Sequence, residues 1–141
     1  CFLFRLNMTG LTPSLIGLLE NPEVIKVGLS LRDDFMMLHK RAPFTQQGCV
    51  ELQDYVRPFG ILDKSLQKIY GILFKEKISK SQRLSNWEAD VLTDAQKQYA
   101  ATDAWACFHI YNLLEELKHT GNFEIEETTV AIEDVQGTRP L

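Results

Sequence analysis

The chain has 141 residues, 45% of them apolar and 24% charged, which is the size and composition of one globular domain with a sizeable core. A formal net charge of −4 argues against a uniformly basic surface, and no apolar run reaches the roughly 20 residues that a membrane-spanning helix needs. No signal peptide with a basic start and a small-residue cleavage site is visible, so the expected setting is soluble and cytoplasmic.

In chain order, "CFLFRL" is a strand-like apolar run that begins at residue 1 without an initiator methionine. The domain is therefore expected to begin upstream of Cys1, with further strands outside this chain. "LTPSLIGLLE" offers Thr12 as an N-cap and Pro13 at the first helical position, the start of a short helix. "EVIKVGL" is a second strand after Asn21 and Pro22, and "SLRDDFMMLHKR" has helical periodicity. "GCVELQDYV" alternates at Val50, Leu52 and Asp54 and is expected to be a third strand. A helix over "KSLQKIYGILF", an irregular basic loop through "KEKISKSQRLSNWEADVL" and a long helix from about Thr93 to Leu117 follow. Alternating strands and helices predict an α/β domain over residues 1–121 with a largely parallel central sheet. Residues 122–141 are expected to form an acidic tail or an added hairpin.

Three cysteines, Cys1, Cys49 and Cys107, are widely spaced and suggest neither a disulfide framework nor a zinc site. His39, His109 and His119 show no metal-ligand spacing either. Charge is uneven: Arg57, Lys64, Lys68, Lys75, Lys77, Lys80 and Arg83 face only Asp63 and Glu76 over that stretch. Such a segment can meet a polyanion, and it can equally be a solvated surface.

The acidic pair Asp33 and Asp34 separates on a helical wheel. With Leu31 at zero and about 100° per residue, Phe35 and Leu38 define the core face, Asp33 points away near 200°, and Asp34 sits at the core margin near 300°. "SLRD" reads as a capping box in which Ser30 caps the helix and Asp33 favours its N-terminus. On the long helix, with Ala95 at zero, Tyr99, Ala106, Ile110, Leu113 and Leu117 cluster around about 40°, and Asp103 lies inside that stripe near 80°. A carboxylate beside apolar side chains needs a partner or a cation. One such residue is as well explained by a loop or a distant arginine, whereas two on separate elements favour a cation.

"KVGLSLRDD" followed about seventy residues later by "SNWEADVLTDAQKQYAATDAWACFHIYNLL" resembles the second and third motifs of the DEDD-type 3′→5′ exonucleases, the family of ribonuclease D and the Werner-type exonuclease domain. The resemblance spans residues 1 to about 117, and Tyr99 with Asp103 marks the tyrosine-containing subclass. It implies a ribonuclease-H-like three-layer fold with a mixed central sheet, and hydrolysis assisted by two Mg²⁺ or Mn²⁺ ions, hard cations that favour carboxylate oxygens. By resemblance, Asp34 and Asp103 are metal ligands and Tyr99 orients the attacking water. Trp87 is a candidate for stacking on a base, and Lys80 and Arg83 for touching phosphates, although packing and plain solvent exposure are equally ordinary uses.

The family's first motif, Asp-x-Glu, does not occur in residues 1–30, so two of the site's four acidic groups are missing. This chain alone is expected to be nearly inactive while its full-length parent removes nucleotides from 3′ ends. The rival expectation is a nucleic-acid-binding or protein-interaction module that keeps the fold without the metal site. The partner is expected to be a nucleic acid with a 3′ end, DNA favoured over RNA, and open strand edges make a homodimer an expectation.

Overall fold

The computed structural model describes residues 1–121, so the tail or hairpin expected at 122–141 lies outside the described residues. The element order is α1 (Leu6–Thr9), α2 (Pro13–Glu20), β1 (Lys26–Gly28), α3 (Leu31–His39), β2 (Cys49–Glu51), α4 (Leu52–Tyr55), a 3₁₀ turn (Arg57–Phe59), α5 (Leu66–Phe74) and α6 (Asp94–Thr120).

Local chemistry explains most of the helix starts. The Thr12 hydroxyl accepts from the Leu15 amide at 3.4 Å with Pro13 at the first position of α2, and Ser65 does the same for Lys68 at the start of α5. At α6, Thr93 Oγ1 accepts from the Gln96 amide at 3.1 Å while Gln96 Oε1 accepts from the Thr93 amide at 2.9 Å. That reciprocal pair satisfies two amides that the helix itself leaves open.

Strands β1 and β2 pair in parallel, Lys26 opposite Cys49, Val27 opposite Val50 and Gly28 opposite Glu51. Because parallel neighbours need a crossover, α3 lies between them in sequence. The described residues contribute this one pair to the sheet. Helix α6 packs on β1 and on α5, and the core gathers Leu52, Val56, Ile61, Ile69, Ile72, Ile110 and Leu114, all essentially sealed from solvent. Each such side chain contributes about 1.5–3 kcal/mol by leaving water. At the far end of α6 the Tyr55 hydroxyl donates to Glu115, and the Lys118 ammonium sits 4.4 Å over the Tyr55 ring.

Three expectations need correction. The "CFLFRL" run forms no strand: Phe2 is 88% exposed, and without a ladder partner among the described residues its backbone has nothing to pair with. Strand β2 stops at Glu51 and the chain turns helical at Leu52, because Leu52 and Val56, four residues apart, are both completely buried and that spacing suits a helix rather than a strand. The buried stripe of α6 runs through Ala106, Cys107, Ile110 and Leu114 instead of Leu113 and Leu117, a rotation of about 40° on the wheel. Asp103, near 80°, thereby moves to the centre line of the buried face. Among the described residues, no helix is long and apolar enough to cross a membrane.

Candidate active site

Helices α3 and α6 carry the two acids singled out above into one cleft. A cavity of about 540 Å³ is bordered by Gly28, Asp34, Lys80, Arg83, Tyr99 and Asp103, among others. Five separate parts of the chain therefore converge: the end of β1, α3, the start of α5, the basic loop and α6.

Asp103 is the most unusual member. Its Oδ1 is shut off from solvent and has no hydrogen-bond partner among the described residues, and burial raises its pKa. A half-buried carboxylate without a donor is costly unless something positive reaches it. Asp34 is exposed at the cleft mouth, yet its pKa is also raised, first by partial burial of the carboxyl and then by the charges of Asp33 and Glu51. The thiol of Cys107, one turn beyond Asp103, is pushed up to about 11 by burial, Asp103 and Glu51. Burial is the leading cause for all three groups, and a bound cation would offset that cost for the two carboxylates.

Tyr99 precedes Asp103 by one helical turn and shares its face. Burial and then the Asp103 charge raise the pKa of its hydroxyl, and Arg83 opposes them. The Trp87 ring lies 5.9 Å from the Tyr99 ring, and its indole N–H donates to the Arg83 carbonyl at 3.2 Å. Trp87 therefore packs against Tyr99, while Lys80 and Arg83 border the cleft itself.

The loop that carries these residues is tied down by side chains that sequence reasoning passed over. Gln96 Nε2 donates to Ser85 Oγ and to the Asn86 carbonyl, each at 3.0 Å. Its signal was present, since Thr93-x-x-Gln96 has the spacing of a capping box. Arg5 donates to the carbonyls of Trp87, Ala89 and Asp90 at 3.1, 2.6 and 3.0 Å, and nothing local marks a contact across more than eighty residues.

Ser30 also departs from expectation. It takes a left-handed conformation, φ 58° and ψ 39°, and its side chain caps nothing. The cap comes from Glu51, whose carboxylate accepts from the Ser30 and Leu31 amides at 2.8 and 2.9 Å. Asp33 consequently has no capping-box partner, although it stays in the first turn of α3, where a carboxylate suits the helix dipole.

A family model for 3′–5′ exonucleases matches residues 6–118. The chain belongs to the 3′–5′ exonuclease family. It is 31% identical over 121 residues to a 3′–5′ exonuclease of Arabidopsis thaliana, a match that covers 83% of it and 42% of the relative. It is 29% identical over 111 residues to ribonuclease D of Haemophilus influenzae, covering 78% and 28%. With the bifunctional 3′–5′ exonuclease/ATP-dependent helicase WRN of Mus musculus it shares 34% over 128 residues, covering 85% and 9%. The chain thus spans less than half the length of these relatives. Among solved structures, Brucella melitensis NrnC bound to pGG superimposes with a TM-score of 0.65 at 24% identity, covering 89% of this chain and 65% of that one. The Aedes aegypti Nibbler EXO domain gives 0.64 at 21%, covering 84% and 61%. These likenesses establish the ribonuclease-H-like fold for the chain.

Exonucleases of this family are metal-dependent. The orphaned Asp103 oxygen and the neighbouring Asp34 fit part of a site for a hard cation. They fall short of a whole one: among the described residues, no three His, Cys, Asp or Glu side chains are grouped to hold a metal.

Proposed function

We propose that this chain carries the Asp34, Tyr99 and Asp103 portion of an active site that hydrolyses phosphodiester bonds from the 3′ end of a nucleic acid. The observation that carries the reading is the solvent-shielded Asp103 Oδ1, without a hydrogen-bond partner among the described residues, in a cleft shared with Asp34, Tyr99, Lys80 and Arg83. Asp34 and Asp103 would hold a divalent ion, Mg²⁺ or Mn²⁺, which when bound supplies charge neutralisation at the scissile phosphate. The Tyr99 hydroxyl, kept protonated by burial and by Asp103, orients the attacking water. Lys80 and Arg83 grip backbone phosphates, which fixes the strand without reading its sequence.

With Asp34 and Asp103 the acids lining the cleft among the described residues, and no Asp-x-Glu in the sequence, the 141-residue chain by itself binds one ion weakly and cleaves little. The test is Mn²⁺ titration followed by electron paramagnetic resonance, beside degradation of labelled DNA and RNA oligonucleotides. Wild type should bind Mn²⁺, and Asp34→Ala and Asp103→Ala should each lose about tenfold or more in affinity. Equal affinity in all three proteins would remove the proposed site, and brisk degradation by the 141-residue chain would refute its incompleteness.

A further inference from the structure

Helix α3 has no N-cap of its own; a residue from the sheet holds its start. Glu51 closes β2 and pairs in register with Gly28, the last residue of β1. Its side chain reaches back 21 and 20 residues along the chain to take the Ser30 and Leu31 amides, one on each carboxylate oxygen. The left-handed turn at Ser30 is what aims two successive amides at one anion. The Ser30 hydroxyl, free of capping duty, accepts from Gln53 Nε2 at 3.2 Å, and Gln53 also donates to the Lys64 carbonyl at 3.0 Å. Both Glu51 oxygens are therefore occupied by backbone, and Asp34 follows three residues after the second of these amides.

We propose that Glu51 is a positioning residue for Asp34: its two-point grip fixes the rotation and height of α3 against the sheet, so that the Asp34 carboxylate meets Asp103 across one cleft. The inference rests on reading Asp34 and Asp103 as cation ligands. A carboxylate at this place also lies at the positive end of the α3 dipole, so the grip resists both sliding and fraying. Side chains that orient a metal ligand without touching the metal commonly matter about 10–100-fold in affinity.

The test uses the 141-residue chain with Glu51→Ala, Glu51→Gln and, as a control of general stability, Thr12→Ala, which removes the cap of the distant helix α2. Two quantities are read: Mn²⁺ affinity, and hydrogen exchange of the Ser30 and Leu31 amides without metal. Glu51→Ala should speed exchange at both amides and weaken Mn²⁺ binding about tenfold. Glu51→Gln keeps one acceptor oxygen and should recover part of both losses. Thr12→Ala should lower the melting temperature and move neither reading. Unchanged exchange in Glu51→Ala, or faster exchange with unchanged Mn²⁺ affinity, overturns the positioning role. Absence of Mn²⁺ binding in wild type marks instead the failure of the site reading beneath it.

Discussion

Asp103 is a residue whose cost to the fold follows from its surroundings. Burial raises its pKa in the folded chain above the ordinary 3.8, so the folded state holds the proton more tightly than the unfolded state does. Stability from this group is fully present at or below pH 3.8 and is lost as pH rises through the raised value. At neutral pH the ionised carboxylate is a burden, and the amide of Asp103→Asn, uncharged at every pH, relieves it. Thermal melting in metal-free buffer should show Asp103→Asn with a higher melting temperature than wild type at pH 7, and the gap should close toward pH 4. A gap that stayed constant across that range would show that charge burial is not the cause. Asp34, raised by burial and by Asp33 and Glu51, acts in the same direction.

At the scale of elements, the joint between β1 and β2 depends on one glycine. Gly48 has φ +67°, and a Cβ built there would come within 3.0 Å of the backbone oxygens of Pro22 and Val24. Its carbonyl accepts from the Lys26 amide at 2.9 Å, so the strain would fall where the strand pairing begins. Gly48→Ala should cost about 1–3 kcal/mol, read as a lower urea midpoint with an unchanged slope. The cap at Thr12 was read from the sequence, and those at Ser65 and Thr93, though not read, were within reach of it because donor and acceptor lie within three residues. The grip of Glu51 on α3 was hidden for the opposite reason, since 20 residues separate its partners and Ser30 looked like a sufficient cap. The end of β2 was misjudged because Val50 and Leu52 satisfy a strand's alternation, whereas Leu52 and Val56 satisfy a helix, and burial of both decided for the helix.

For the whole molecule, the arrangement depends on contacts that close long loops. Arg5 joins the first turn of the chain to the loop before α6 through three carbonyls, and hydrogen bonds of a charged donor are worth about 1.5–3 kcal/mol each before solvent exposure reduces them. Arg5→Ala should lower stability by about 2 kcal/mol in urea and speed tryptic cleavage after Arg83. Arg5→Lys should lose nearly as much, because the single nitrogen of an ammonium cannot occupy both places from which the two guanidinium nitrogens reach these carbonyls. Equal cleavage rates in wild type and Arg5→Ala would show that the loop holds itself. The family and the acids of the cleft were readable from Tyr99, Asp103 and Asp34 because residue type and spacing within one helical turn mark them. Arg5, Gln96 and Glu51 were not, because support depends on where the chain folds back.

The packing of Trp87 on Tyr99, with ring centres 5.9 Å apart, has an optical consequence. Light absorbed by Tyr99 passes readily to an indole at that separation, so Trp87 emits on behalf of its neighbour. The chain's other tryptophan, Trp105, lies against Tyr70 and His109 and can be replaced by phenylalanine to leave one emitter. Fluorescence from the remaining indole then follows the ionisation of the Tyr99 hydroxyl, and would report the binding proposed for Mn²⁺ at Asp103, without any attached dye.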